Sequence, residues 1–212
     1  SLQELLTLHP ALRTRLLRAA LERVRGDLRG IERDHVQSIE GLLVAGRPQR
    51  EVHLPRAWVA RRYERLLING APPRIPAVDE RVVDAPGVYP LADGGTLEIR
   101  LVESGGDEDV NAVEFFGLSL PLVIRTMRPG DRFRPSGMTG HKKLKDFFID
   151  EKLEHEQRRR VPLVVSGEIL WIVGMRRCEG FRPAGHAVSG VRVVFEPRSA
   201  DDNQLVKTEG LW

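Results

Sequence analysis

The chain of 212 residues contains a single cysteine, Cys178, and this scarcity excludes a fold held together by disulfides. A lone thiol is typical of a reducing compartment, so we expect a cytoplasmic protein. No apolar run approaches the roughly 18 residues of a membrane-spanning helix, and we expect no membrane partner. The first residues, SLQELLTLHP, lack the basic start and apolar segment of a signal peptide. The chain begins with Ser1 rather than methionine, which suggests an excised fragment.

Motifs for catalysis are also lacking. No G-x-G-x-x-G and no G-x-x-x-x-G-K-S/T motif occurs. The stretch SGGDED at 104–109 starts like the S-G-G-x-D-S loop of ATP pyrophosphatases, but its acidic residues would repel a triphosphate, so we interpret it as an acidic turn. The stretch HEQRR at 155–159 starts like the zinc-protease motif H-E-x-x-H, yet Arg159 replaces the second histidine. The sequence predicts no catalytic residue, no metal site and a structural role for Cys178.

Charge is abundant, and it is arranged in blocks. Residues 1–65 carry 13 arginines against 8 acidic residues, residues 66–124 carry 3 against 10, and residues 125–160 carry 11 lysines and arginines against 6. The net charges of these blocks are therefore +5, −7 and +5. Two basic blocks around an acidic one favour a polyanionic partner that touches two places. A surface covered with salt bridges would give the same totals, and composition alone leaves both interpretations open.

Two amphipathic helices are predicted near the start of the chain. In PALRTRLLRAALERVRGD, apolar residues recur at three- and four-residue steps, Pro10 suits the first turn and Gly26 a stop. The apolar face of this helix comprises Leu12, Leu16, Leu17, Ala20, Leu21 and Val24. In DHVQSIEGLLVAG, Asp34 can cap the start of a helix and Gly46 can end it. Its apolar stripe comprises Val36, Ile39, Leu42 and Leu43.

The rest of the chain has the pattern of short strands. EVHLPRAWVARRYERLLI predicts a hairpin or short strands around a Pro-Arg turn, and NGAPPRIPAVDE, rich in proline, predicts a linker. TLEIRLVE alternates, with Leu97, Ile99 and Leu101 on one face, and LPLVIRTM, VPLVV, EILWIVGM and VRVVFEP are typical of buried strands. We expect an α+β protein, with a helical domain over 1–70, a linker over 71–84, and an α+β domain over 85–212 with a small mixed or barrel-like sheet.

The most organised charge lies in RPGDRFRPSGMTGHKKLKDFFIDEKLEHEQRRRVPLVV, residues 128–165, which we call the basic stretch. A helix over 142–149 would bury Leu144, Phe147 and Phe148. Lys142, Lys145 and Asp146 would then point outward, with Lys143 on the flank. Arg128, Arg132 and Arg134 come at even positions of a turn-rich loop, so they would face one way, while Asp131 would pin the loop through backbone or arginine hydrogen bonds.

The second half of the basic stretch ends in an arginine triplet. Arg158, Arg159 and Arg160 close a short predicted helix before Pro162. Arginines at a helix C-terminus complement the helix dipole, which accounts for one or two of these charges. The helix dipole does not account for the loop arginines, the helix lysines and the arginine triplet, which all lie on or flank the predicted helix over 142–149. Cations held on a rigid scaffold in this way favour contacts with phosphates, which position a ligand without reading its bases.

The residues RPGDRFRPSGMTGHKKLKDFFIDEK, followed by RRRVPLVV and GEILWIVGMR, closely resemble the C-terminal domain of bacterial tRNA(Ile)-lysidine synthases. Residues 1–45 and VHLPRAWVARRYERLLI resemble the middle, substrate-binding domain of the same family, on weaker motifs. The resemblance implies an enzyme that uses ATP, with magnesium, to adenylate the wobble cytidine of a CAU-anticodon isoleucine tRNA, which lysine then attacks to give lysidine. The resemblance also implies that the ATP-pyrophosphatase domain is absent from this chain. The chain itself would then hold the acceptor arm of the tRNA and need no cofactor.

On this interpretation the basic residues bind tRNA phosphates. The candidates are Arg128, Arg132, Arg134, Lys142, Lys143, Lys145, Arg158, Arg159 and Arg160, with Arg176 and Arg177 as further candidates. Three alternatives stay open: a stand-alone nucleic-acid-binding module, a structural module whose charges pair across a homodimer, and an independent small-molecule enzyme. The last lacks any paired acid and base or activated nucleophile.

Overall fold

The computed structural model describes residues 1–44, 46–74, 80–92, 94–103, 109–181 and 189–198. The chain divides into two compact units. The first unit comprises Ser1–Arg74 together with Glu154–Glu156, and the second comprises Ile75–Leu153 and Gln157–Trp212. A short segment of the basic stretch therefore belongs to the first unit.

The first unit combines helices with a sheet. Its helices are α1 (Leu2–Thr7), α2 (Pro10–Arg25) and α3 (Arg33–Val44), and its strands are β1 (Gln49–Leu54), β2 (Ala57–Arg62) and β3 (Arg65–Asn69). The strands form an antiparallel sheet in the order β1-β2-β3. The predicted hairpin with its Pro-Arg turn is confirmed. The expectation of a helical domain over 1–70 is met only in part, because a three-stranded sheet packs with the helices and supplies Leu54, Ala57 and Val59 to the core.

Helix α2 begins and ends where its sequence predicts. Pro10 is its first residue, and Gly26 follows in the left-handed conformation, with φ of 85°. Its buried stripe is narrower than predicted, because only Leu17 and Leu21 are buried against α3 and the sheet. Three residues of the predicted face are exposed: Leu12, Leu16 and Val24.

Helix α3 buries all four residues of its predicted stripe, Val36, Ile39, Leu42 and Leu43. The predicted boundaries are slightly wrong. The helix starts at Arg33, so that Asp34 lies inside the first turn rather than at the cap. It ends at Val44, before Gly46, which lies in a bend.

The second unit is built mainly from short strands. They are β4 (Arg81–Val83), β5 (Gly87–Pro90), β6 (Thr96–Val102), β7 (Ala112–Phe116), β8 (Leu122–Arg125), β9 (Arg132–Phe133), β10 (Lys142–Lys143), β11 (Leu163–Ser166), β12 (Glu168–Ile172), β13 (Arg176–Arg177) and β14 (Gly190–Glu196). Helix α4 (Leu144–Asp150) follows β10. The short helix α5 (His155–Arg158) comes before β11 in the chain, and its first two residues belong to the first unit. Strand β4 falls within the stretch expected to be linker, of which residues 75–79 lie outside the described part.

The described strands form three antiparallel groups, which corrects the expectation of a mixed or barrel-like sheet. One sheet has the order β13-β12-β11-β8-β4, a second has the order β5-β6-β14-β7, and β9 pairs with β10 as a ribbon. Every pairing among the described strands is antiparallel and the sheets stay open. The α+β class is confirmed.

The five-stranded sheet is covered on both faces. One face shares a core with the four-stranded sheet, in which Phe115, Ile124, Trp171 and Val193 are buried. The other face packs against α4 and the β9–β10 ribbon through Phe133, Leu144, Phe147 and Phe148. On β6, Leu97 and Ile99 are buried as predicted, but Leu101 is exposed, because β5 pairs with Thr96–Ile99 and stops short of it.

Candidate nucleic-acid interface

The β9–β10 ribbon brings two cations of the basic stretch face to face. Arg132 pairs with Lys143 across the ribbon, and Phe133 pairs with Lys142. Lys142 and Lys143 therefore lie on a strand rather than on the predicted helix, which starts only at Leu144.

The alternation of side chains along the ribbon decides which charges face solvent. Phe133 is buried in the core beneath the ribbon, so Arg132 and Lys143 project from the opposite face, where both are exposed. Like charges directly opposite each other on a sheet destabilise it, by about 0.2–1 kcal/mol. An anion bound between Arg132 and Lys143 would remove this repulsion.

Helix α4 presents the next lysine on a firmly packed support. Leu144, Phe147 and Phe148 are buried as predicted, and the rings of Phe133 and Phe147 meet edge to face, with centroids 5.2 Å apart. Lys145, on the outer side of this helix, is exposed. We call Arg132, Lys143 and Lys145 the basic face.

Lys142 is occupied within the protein. Its Nζ lies 2.5 Å from Oδ2 of Asp150 and 5.9 Å from the centroid of the Phe147 ring. The ion pair is partly exposed, so it is a weak one. Lys142 is therefore less available to a ligand than the basic face.

The loop before the ribbon is held by Asp131, as predicted. Its carboxylate accepts hydrogen bonds from the guanidinium of Arg125 at 2.7 and 3.0 Å and from the backbone N–H of Arg128 at 2.8 Å. Its carbonyl accepts the N–H of Leu144 at 2.9 Å, at the start of α4. Arg125 is buried and was not singled out from the sequence, since LPLVIRTM predicts a strand without giving that arginine a partner.

The other predicted loop arginines differ in exposure. Arg128 is exposed and forms an ion pair with Glu80. Arg134 is half-buried and donates to the carbonyl of Glu179 at 3.2 Å. It therefore stabilises the loop backbone rather than facing solvent as Arg132 does.

The arginine triplet is divided in the same way. Arg158 is only 6% exposed and its Nε donates to the carbonyl of Leu153 at 2.9 Å. Arg158 therefore does not reach the surface, because its guanidinium turns inward to bond the backbone carbonyl of Leu153, just after α4. Arg159 and Arg160 are exposed.

The two further candidates on β13, Arg176 and Arg177, also differ in exposure. Arg176 is exposed and donates to the carbonyl of Ser136 at 2.9 Å. Arg177 is half-buried, donates to the carbonyl of Gly180 at 3.0 Å and lies 5.8 Å from the ring of Phe115. Arg176 is therefore the better placed of the two to meet a ligand.

One buried arginine of the first unit receives a carboxylate from the basic stretch. Arg62 is 2% exposed, its Nε lies 2.9 Å from Oε2 of Glu156, and its Nη2 donates to Glu51 at 2.7 Å. Next to this pair, the N–H of His155 donates to Oε1 of Gln49 at 2.7 Å, and Arg65 pairs with Glu154. The sequence did not reveal this contact, because its partners lie 94 residues apart.

The misleading motifs have structural roles where they are described. Glu156 of HEQRR is held by Arg62, and the carboxylate of Asp109 accepts the N–H of Asn111 at 2.6 Å in a turn, while residues 104–108 of SGGDED lie outside the described part. Burial raises the pKa of the Cys178 thiol to about 11, so the thiol stays protonated. Across the described ranges, no three histidine, cysteine, aspartate or glutamate side chains cluster as metal ligands would, and no helix could span a membrane.

Comparisons with known proteins place this arrangement in a family. The model described as TilS substrate binding domain matches residues 1–67, and the one described as TilS substrate C-terminal domain matches residues 122–193, which include the basic face. This chain belongs to the tRNA(Ile)-lysidine synthase family. The tRNA(Ile)-lysidine synthase of Geobacter sulfurreducens is 39% identical over 191 residues, which are 86% of this chain and 41% of that protein.

A second member of the tRNA(Ile)-lysidine synthase family, from Caldanaerobacter subterraneus, is 34% identical over 183 residues, or 82% of this chain and 39% of that protein. The chain thus spans about two fifths of the length of these relatives. A crystal structure of a TILS C-terminal domain covers 57% of the chain with a TM-score of 0.50 and 25% identity. That whole structure is matched, which supports the fold described for the second unit.

Proposed function

We propose that this chain is the tRNA-recognition part of a tRNA(Ile)-lysidine synthase and that it holds the acceptor arm of isoleucine tRNA with a CAU anticodon. The complete enzyme would be an ATP-dependent cytoplasmic ligase of tRNA modification, joining lysine to the wobble cytidine. ATP and magnesium would be used by residues outside this chain, which would not be catalytic alone.

The opposed pair of Arg132 and Lys143 carries this proposal. The two cations face each other on a rigid ribbon, with Lys145 beside them, and the described residues supply none of the three with a carboxylate partner. Such a pair raises the energy of the unbound protein, and RNA phosphates would relieve it. A salt-bridged surface, by contrast, would have placed acidic side chains against these residues.

The chemistry of the basic face fits duplex RNA. The major groove of A-form RNA is too narrow for side chains to read, so proteins recognise duplex RNA by its shape and through its phosphates and 2′-hydroxyls. Asp131 and Arg125 fix the loop, and the aromatic core fixes α4, so the cations keep their spacing before tRNA arrives. A contact on the acceptor arm would then raise the effective concentration of the anticodon at the catalytic domain.

The test is a binding titration of this chain with isoleucine tRNA bearing CAU and with an unrelated tRNA, at two salt concentrations. We expect binding that weakens as salt rises and favours the isoleucine tRNA. Replacing Arg132, Lys143 and Lys145 with alanine should lower the salt slope by about 0.7–0.9 for each lost phosphate contact. Unchanged affinity and slope in this variant would refute the assignment.

A control variant removes two exposed arginines elsewhere on the second unit, against three cations in the basic-face variant. Arg81→Ala and Arg100→Ala change the charge in the same direction but lie on β4 and β6. We expect this variant to keep the wild-type salt slope. Concentration-dependent sedimentation without tRNA, abolished by the basic-face substitutions, would instead favour a homodimer in which these charges pair between subunits.

A further inference from the structure

A pocket of about 330 Å³ lies in the second unit, beside the loop that leads to the basic face. Its lining combines apolar side chains, among them Val110 and Met175, with Asp109, Arg176 and the Ser136–Gly137 turn of the loop. Neither the resemblance nor the family models assign a ligand to it. Its volume lies in the range of small-ligand sites.

The wall formed by the loop is firmly held. The N–H of Ser136 donates to the carbonyl of Arg177 at 3.0 Å, and the N–H of Gly137 donates to the carboxylate of Glu179 at 2.6 Å. Arg176 closes this side by donating to the carbonyl of Ser136 at 2.9 Å. The pocket therefore keeps its shape without a ligand.

The lining has the chemistry that recognises one unpaired nucleotide. Exposed Val110 and half-buried Met175 offer apolar surface to a base, with the buried Val113 and Trp171 behind them. The Arg176 guanidinium at the rim can bond a phosphate or stack on a base. A base within a duplex could not enter, whereas the bases of single-stranded RNA can be splayed out into such pockets. Asp109 keeps its negative charge while it accepts the N–H of Asn111, but Arg176 and Arg177 give the lining a net positive formal charge.

We propose that this pocket takes an unpaired nucleotide from the single-stranded 3′ end of tRNA. The inference rests on the proposed function, because an acceptor arm lying along the basic face carries that single strand at its end. Arg176 and the Ser136–Gly137 turn connect the pocket to the loop that carries Arg132. The basic face would hold the duplex, and the pocket would hold the end of the chain.

The experiment compares two transcripts of isoleucine tRNA, one complete and one trimmed of its unpaired 3′ nucleotides. For the wild-type chain we expect trimming to weaken binding about tenfold, in the range measured for stacking one base on protein. Val110→Trp places an indole in the pocket from an exposed position, so it should weaken binding of the complete transcript by a similar factor and leave the trimmed transcript unaffected. Arg176→Ala, which opens the rim, should reduce the effect of trimming.

Val88→Trp is the matched control, since Val88 is a similarly exposed valine on β5 and does not line the pocket. It should respond to trimming as the wild type does. The proposal is overturned if the wild type binds both transcripts equally. It is also overturned if trimming lowers the affinity of Val110→Trp as much as that of the wild type. Either result, with binding still sensitive to the basic-face substitutions, leaves the proposed function intact. Failure of the wild type to bind the complete transcript would overturn both.

Discussion

Two buried arginines, one in each unit, hold carboxylates that come from the basic stretch. In the second unit, Arg125 of β8 binds Asp131 with two hydrogen bonds of 2.7 and 3.0 Å. In the first unit, Arg62 of β2 binds Glu156 through two nitrogens, with Nε at 2.9 Å from Oε2. Both pairs use the planar fork of arginine, which matches the two oxygens of a carboxylate.

The two pairs differ in how far apart their partners lie in the sequence. Arg125 and Asp131 are 6 residues apart, so their pair fixes the shape of one loop. Arg62 and Glu156 are 94 residues apart, so their pair holds a distant segment of the chain on the first unit. The basic stretch therefore contains charges that build the protein and charges, such as Lys143 and Lys145, that are left for a ligand.

Breaking the Arg62–Glu156 pair should cost more stability than breaking the Arg125–Asp131 pair. We expect Arg62→Ala to lower the free energy of unfolding of the first unit by about 3 kcal/mol, because it leaves the partly buried carboxylates of Glu51 and Glu156 without their cation. Hydrogen exchange followed by mass spectrometry on the full chain would localise the effect. Exchange should accelerate in α3, β1 and β2 and stay unchanged in β11 and β12.

The control for this change is Arg65→Ala, which removes an exposed arginine that pairs with Glu154. Exposed pairs contribute about 0–1 kcal/mol, so this variant should stay close to the wild type. Equal effects of Arg62→Ala and Arg65→Ala would show that the buried pair does not stabilise the first unit.

The local pair should cost less. Asp131→Ala removes the carboxylate from the buried guanidinium of Arg125, which keeps only the carbonyl of Thr126 at 2.9 Å, and leaves the N–H of Arg128 without its acceptor. We expect a loss of about 2 kcal/mol in the free energy of unfolding. The same variant should bind tRNA more weakly, because the loop that carries Arg132 loses its support. Urea denaturation and the binding titration measure the two effects.

Asp84→Asn provides the comparison for Asp131→Ala, since it removes the charge of an exposed aspartate elsewhere in the second unit. Surface changes of this kind usually stay within about 0.5 kcal/mol. If Asp131→Ala matched Asp84→Asn in stability and in tRNA affinity, Asp131 would have no part in positioning the basic face.

The contrast between the two pairs also explains what could be predicted from the sequence. Periodicity predicted α2, α3, the hairpin and the buried side of α4, because those patterns reflect local geometry. The role of Asp131 was predicted for the same reason, since its partners lie within a few residues. The burial of Arg62 could not be predicted, because it depends on a carboxylate that only the folded chain brings near.

The errors in the candidate site have the same origin. The stretch HKKLKDFFID predicts a helix that includes Lys143, but pairing with Arg132 draws this lysine into a strand. The RRR triplet predicts a surface charge at Arg158, but its guanidinium turns inward to the carbonyl of Leu153, five residues earlier. In the first unit, the pattern of α2 predicts too wide a buried face, because a sequence does not show how much surface the partner elements can cover.

The smallest effect should come from lowering the pH. It separates the contribution of charge from that of packing at the Arg62–Glu156 pair. Hydrogen bonds from Arg62 hold the pKa of the Glu156 carboxyl below its ordinary value of 4.5. A carboxyl with a lowered pKa in the folded state contributes stability that is complete above the unfolded value and is lost as pH falls through the folded value.

Glu156→Gln keeps the shape and an acceptor oxygen but cannot ionise. It should therefore destabilise the first unit at about pH 7, and its difference from the wild type should shrink steadily below about pH 4.5. Urea denaturation across this range measures that difference, and a deficit that stayed constant down to about pH 3 would mean that Glu156 stabilises the first unit by its shape rather than by its charge.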